Sequence, residues 1–195
     1  MTDTADTFFT LLTLVANAAF VLLVVVGLAA LVSSSGRAFG SRVVAAIGPS
    51  ALPLAFLVAA VTTAGSLYYS EIANYTPCVL CWYQRICMYP LVAILGVGWF
   101  RRDRGVWMYA APLVIAGPGV SIYHYLIERY PSLGSGLSCS LDAPCTVPYF
   151  EELGFVTLAY MCLSAFAIIG ALLVVDQAYT RSTVVDPLVD QEVTS

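Results

Sequence analysis

Cys78 and Cys81 are separated by two residues and follow Pro77. Proline favours the first turn of a helix, so the motif reads as a helix start. Residues three apart lie on one helix face, which lets the two sulfurs meet. A helix N-terminus also favours the thiolate, the reactive form of the side chain. Arg85 stands four residues beyond Cys81, one turn on and on the same face. Its guanidinium reads as a cation that steadies a thiolate or a polar ligand oxygen beside Cys81, with Tyr83 and Gln84 adding hydrogen bonds. Snorkelling to lipid headgroups is the plainer reading of the same residue. A second pair, Cys139 and Cys145, follows Gly134, Ser135, Gly136 and Ser138 and has Pro144 within it. That polar stretch suits a segment that reaches another protein, and a structural disulfide closing a small loop is the alternative. Two cysteine pairs are the material for electron transfer by thiol–disulfide exchange. His124, the only histidine, sits between Tyr123 and Tyr125. It is either an interfacial anchor or a group that faces Arg85 across a ligand. Cys87 and Cys162 have apolar neighbours and read as small hydrophobic filler.

The elements that must position these residues follow from composition. Hydrophobic residues make up 60% of the 195 and charged residues 10%. Soluble domains carry about 25% charged residues. This excludes a disordered chain and an ordinary cytosolic enzyme, and leaves an integral membrane protein. The net charge is −4 and every basic residue is Arg, so there is no basic surface for nucleic acid. A span needs about 20 apolar residues to cross about 30 Å of hydrocarbon. Five stretches qualify or nearly do: Phe8–Val32, Gly48–Tyr69, Tyr83–Phe100, Val106–Leu126 and Gly154–Val175. Each must be helical, because lipid offers the backbone no partners. The first is read as a retained helix. Its flank carries Asp3 and Asp6 with no basic residue, and its apolar run exceeds the about 7–15 residues of a signal peptide.

Five spans put the termini on opposite sides. Arg37, Arg42, Arg101, Arg102, Arg104 and Arg181 all fall on one side, which the positive-inside rule makes cytoplasmic. The expected protein is therefore a multi-pass cell-membrane protein with its N-terminus outside and its C-terminus in the cytoplasm. Its cysteine loops face outward, where disulfides persist. The expected fold is an all-α membrane protein, an antiparallel four-helix transmembrane bundle plus one extra N-terminal transmembrane helix. Residues 1–47 form the extra helix and a cytoplasmic loop. Residues 48–175 form the bundle with both cysteine loops, and 176–195 an acidic, frayed cytoplasmic tail.

Pro77, Cys78, Val79, Leu80, Cys81, Trp82, Tyr83, Gln84 and Arg85 together resemble the signature of the DsbB family of membrane thiol:quinone oxidoreductases. The resemblance extends through His124–Ser132, then Cys145 and Leu153–Phe155, and covers roughly residues 50–175. The close Cys139/Cys145 spacing looks more like the Gram-positive BdbC-type branch than the enterobacterial proteins. The family has four helices, so Phe8–Val32 is an addition. The related vitamin K epoxide reductases place their loop cysteines before the C-x-x-C, the reverse of the order here. The resemblance implies a route for electrons. A reduced extracytoplasmic thioredoxin-like, DsbA-type oxidase attacks a Cys139–Cys145 disulfide at Cys139. Cys145 then passes electrons to a Cys78–Cys81 disulfide through Cys78. Cys81 is left as the thiolate beside a membrane quinone, ubiquinone or menaquinone, near Arg85 and with His124 as a weaker candidate contact. No metal and no flavin are implied.

The rival from another class is a structural zinc site built from Cys78, Cys81, Cys139 and Cys145. Zinc ribbons separate their C-x-x-C pairs by about 15–20 residues. Here 57 residues lie between Cys81 and Cys139, and the second pair is C-x5-C.

Overall fold

The computed structural model describes residues 2–134 and 145–193, with side chains for 4–134 and 145–183. Cys139 lies outside the described residues. Five helices among them are long and apolar enough to cross a membrane. They are α1 (Thr2–Val32), α2 (Ser34–Leu67), α3 (Val79–Arg101), α4 (Val106–Arg129) and α5 (Leu158–Val193). The all-α membrane architecture expected from composition is the one the chain adopts. Helices α2 to α5 form a ring in which each packs on the next and α5 closes on α2. Helix α1 stands outside that ring, against α2 and α5.

Lipid is as apolar as leucine, so helices in it associate through close packing more than through hydrophobic burial. The sequence supplies small residues for this. Ala51, Ala55 and Ala59 lie one turn apart on α2 and are fully buried. At Gly117 on α4, an added Cβ would overlap the Phe166 ring of α5. That glycine lets Phe166, itself fully buried, reach the α4 backbone. Cys87 is buried in the same apolar core with Met88, Leu91 and Ile169.

Helix limits depart from those read off hydropathy, each for a local reason. The segment expected as a cytoplasmic loop, residues 33–47, is helical except at Ser33. Ser33 takes extended geometry (φ −137, ψ 152) and its Oγ accepts from Gly36 N at 2.9 Å, as an N-cap does. Gly36 lies against the end of α1, where a Cβ would overlap Ala29 O. One capped residue thus makes the whole α1–α2 turn. The start expected at Gly154 moves to Leu158. Leu153 and Gly154 have φ of 56 and 77 in a turn closed by pairing of Glu152 with Val156. Thr157 Oγ1 then accepts from Tyr160 N at 3.3 Å and caps α5. The tail expected to fray continues α5 to Val193. After α2 the chain passes into a π-helical turn, Tyr68–Ile72, a device frequent at functional sites.

Candidate active site

Cys78 is the N-cap of α3, with Pro77 just outside the helix. Its Sγ accepts from Cys81 N at 3.3 Å, as an N-cap side chain does. The same turn brings the Cys81 Sγ to 2.9 Å from the Cys78 Sγ. Both are free thiols. Cys78 lies just before the membrane-spanning part of α3. Its hydrogen bond from the Cys81 thiol holds its pKa well below the ordinary thiol range, against the opposing effect of burial. His124 and the Cys81 backbone N–H lower it further. In this reduced pair the thiolate is favoured at Cys78, whereas the Cys81 thiolate that the resemblance implies belongs to a different state, in which Cys78 is bonded to Cys145. The helix N-terminus, which stabilises negative charge, falls on Cys78.

His124 is buried, with its Nε2 3.6 Å from Cys78 Sγ and 3.7 Å from Glu128 Oε1. Glu128 is one helical turn further along α4 and accepts from Thr157 Oγ1 at 2.7 Å. The residue that caps α5 thus also fixes the carboxylate that faces the histidine. His124 Nδ1 has no hydrogen-bond partner among the described residues. Sequence reasoning missed Glu128 and Thr157, although the spacing of four between His124 and Glu128 on an apolar helix was a legible signal.

Arg85 points away from His124. Its Nε and Nη2 donate to Ser66 Oγ and Ser66 O of α2, both at 3.0 Å. Its guanidinium lies 5.2 Å from the Trp82 ring centroid and 6.0 Å from that of Tyr89. It lines an apolar cavity of about 470 Å³ together with Cys81, Gln84 and Ser66. Neither Cys78 nor His124 lines that cavity. The two side chains read together as ligand contacts thus stand on opposite sides of the C-x-x-C: His124 with Cys78, Arg85 with Cys81. Cys162, read as filler, also lines the cavity. Ser66 carried no signal, being one serine in a long apolar run.

Cys145 is disulfide-bonded and 1% exposed. It packs in one small cluster with Cys78, Leu80 and Ile127, and Cys81 lies against that cluster. A disulfide sulfur is not the thiolate that zinc requires, so Cys145 as it stands here does not suit the four-cysteine zinc site weighed from sequence. The two loops are also tied by stacked rings. Tyr75 before α3 and Tyr149 after Cys145 lie 4.5 Å apart at 8°, and Tyr149 Oη donates to Thr76 O.

Comparison with known proteins agrees with this geometry. Residues 48–176 match the family model described as disulfide bond formation protein DsbB. The chain is 44% identical over 114 residues to the disulfide bond formation protein C of Bacillus subtilis (strain 168), covering 58% of this chain and 83% of that one. It is 45% identical over 114 residues to a probable disulfide formation protein C of Halalkalibacterium halodurans, with the same coverage. A probable disulfide formation protein of Coxiella burnetii is 41% identical over 124 residues, 63% of this chain and 84% of that one. No solved structure matches the chain significantly. The resemblance read from the C-x-x-C segment thus holds over the four-helix ring: the chain belongs to the DsbB family of membrane oxidoreductases for disulfide bond formation, on its BdbC-type branch.

Proposed function

We propose that this protein reoxidises an extracytoplasmic thioredoxin-like, DsbA-type thiol oxidase and delivers the two electrons to membrane quinone, ubiquinone or menaquinone. The observation that carries the reading is the placement of the C-x-x-C between two partners. Cys145 shares one buried cluster with Cys78 at one side, and Cys81 lines an apolar cavity at the other. A path for electrons therefore runs from loop to membrane through one pair of sulfurs.

The thiol steps balance as exchanges. A thiolate of the donor attacks Cys139 of a Cys139–Cys145 disulfide. The donor's second thiol then displaces Cys139, so the donor leaves as a disulfide and both loop cysteines are reduced. Two features support this pairing and point of attack. Cys145 is disulfide-bonded, and the family resemblance pairs it with Cys139. The Cys145 sulfur is buried from an incoming thiolate. Cys145 next attacks Cys78 of a Cys78–Cys81 disulfide and releases Cys81. Cys139 attacks Cys145, restoring the loop disulfide and freeing Cys78. The C-x-x-C now holds the electron pair, as it does in the structure. Quinone bound in the cavity accepts two electrons and two protons as quinol, and the Cys78–Cys81 disulfide reforms.

The chain's own residues prepare that last step. The Cys81 thiol shares its proton with Cys78, so proton and electron pair are held between two sulfurs. Ser66 fixes the Arg85 fork at the cavity wall and leaves its remaining donors for a ligand oxygen. Trp82 and Tyr89 flank the guanidinium, which limits its drift. Arg37, Arg42, Arg101, Arg102, Arg104 and Arg181 cluster at the α1–α2 and α3–α4 turns and in α5, far along the chain from the cysteine loops. That distribution supports an outward cysteine end, with the N-terminus outside and the C-terminus in the cytoplasm.

A second reading has a specific observation behind it. The ligand atoms of Cys78, Cys81 and His124 lie within 4.8 Å of one another, a set that suits zinc. Two assays on purified protein decide. With a reduced thioredoxin-like donor and a short-chain quinone, the redox reading expects one quinol per donor disulfide formed. Stoichiometric zinc in protein that reduces no quinone would replace it with the metal site.

A further inference from the structure

The added helix α1 is polar on its inward face. Asp6, Thr10 and Thr13 are all buried, and Asn17 is half-buried, at spacings of four, three and four. Those intervals trace one stripe along a helix. A polar stripe facing inward, with Leu22 and Val25 exposed on the lipid side, is not what a bare membrane anchor needs. Two members of the stripe hold α1 to two different elements. Asp6 accepts from Tyr69 Oη of the π-helical turn after α2 at 2.8 Å. Asn17 Nδ2 donates to Tyr160 Oη of α5 at 3.1 Å. Between these two clamps Phe9 seats on Gly65 of α2, where a Cβ would lie 2.8 Å from its ring. Helix α1 is thus set in register by two hydrogen bonds and one close approach.

What α1 covers is the cavity that Cys81 and Arg85 line. The lining comes from α1, α2, α3, α5 and the two loops, with no residue of α4. The α1 contribution includes Phe9, Leu12, Thr13, Ala16 and Ala19. Because α1 packs on α2 and α5, it closes the side on which those two helices would otherwise meet lipid. Tyr69, which Asp6 holds, lines the cavity too and stacks on Tyr75 at 5.7 Å and 15°. The N-terminal helix therefore reaches both the wall and the ring stack that covers the cavity beside the cysteine loops.

We propose that α1 is part of the quinone-binding site, its face Phe9–Ala19 forming the lateral wall against which the bound quinone rests. The proposal deepens the quinone reading and rests on it. Its content is specific to this chain, because the matched family region, residues 48–176, does not include α1. An α1 that merely anchors the protein would leave quinone contacts to α2, α3 and α5 alone.

The test uses the purified full chain in liposomes and two probes, azido derivatives of a short-chain benzoquinone and of a short-chain naphthoquinone. After illumination the labelled positions are mapped by mass spectrometry, with and without excess parent quinone. Labelling within residues 9–19 that parent quinone competes away supports the wall. Competed labelling confined to α2, α3 and α5 overturns it and leaves the quinone reading standing. No competed labelling from either probe overturns both. A variant adds a second arm. Ala16→Trp pushes bulk into the cavity and should raise the KM for parent quinone about tenfold or more, the scale of a misfitted apolar contact. Its rate of C-x-x-C reduction by donor thiol without quinone should stay at the wild-type value, which also shows that the variant is folded. Val25→Trp, on the lipid side, should match wild type in both. An Ala16→Trp protein with unchanged KM would overturn the wall.

Discussion

Replacing His124 by Leu removes the imidazole beside Cys78 while keeping an apolar side chain of comparable bulk. In the native site the Nε2–Sγ distance is 3.6 Å and both groups are buried. A hydrogen bond to a charged group contributes about 1.5–3 kcal/mol. One pKa unit corresponds to about 1.4 kcal/mol, so the Cys78 midpoint should rise by about one to two units. The Cys81 thiol is the larger cause of the lowered Cys78 pKa and His124 a smaller one. Cys81→Ala should therefore raise the midpoint further than His124→Leu. The assay is the rate of Cys78 alkylation by iodoacetamide against pH in fully reduced protein, read by mass at that residue. The native midpoint should lie well below the ~8.5 of a free thiol. Stability follows the same titration. The folded pKa is depressed, so the thiolate stabilises the reduced protein above the unfolded thiol pKa. That contribution is lost as pH falls through the folded value. A His124→Leu midpoint equal to wild type would refute the role given to His124, and a native midpoint near ~8.5 would refute the thiolate assignment.

Other outcomes follow from the same geometry. Cys78, Cys81 or Cys145 changed to Ser should each abolish steady quinone reduction in the donor-coupled assay, whereas Cys87→Ala should keep turnover at a packing cost of about 1 kcal/mol. Arg85→Lys should raise the quinone KM by about one to two orders of magnitude, since Lys lacks the planar fork that bonds Ser66 and a ligand together. An unchanged KM would reduce Arg85 to an interfacial anchor. Asp6→Leu should loosen α1, leaving the Tyr69 hydroxyl unpaired at a cost of about 1–3 kcal/mol. Protease nicking at the N-terminal end of α1 should quicken, and unchanged nicking would show that the Asp6–Tyr69 bond does not hold the helix.

The five helices were legible because an apolar run in lipid has one solution. The C-x-x-C at a helix start was legible because Pro77 precedes it and the motif's spacing matches one helical turn. Helix limits were harder, since hydropathy marks lipid contact and not hydrogen bonding. Residues 33–47 carry Arg37 and Arg42 and read as a loop, yet the Ser33 cap starts α2 ahead of them and the helix runs through. The partner of Arg85 could not be read, because Ser66 meets it only when α2 and α3 pack. The division of labour between His124 and Arg85 was hidden for the same reason. They lie on different helices, and only packing sets them on opposite sides of the sulfurs. Helix α1 was read as an outlying addition from its hydropathy. Its inward polar stripe, from Asp6 to Asn17, was in the sequence and marks the face that meets the bundle.

The central claim is that electrons pass between the pairs through a Cys145–Cys78 bond. A Cys81→Ser, Cys139→Ser double variant keeps only those two members of the relay, together with Cys87 and Cys162 in the spans. Oxidised under mild conditions and mapped by peptide mass spectrometry, it should contain a disulfide joining Cys78 to Cys145, formed in high yield because the two residues already share one packed cluster. Free thiols at both positions after oxidation, or a bond from Cys78 to Cys87 or Cys162 instead, would contradict the relay.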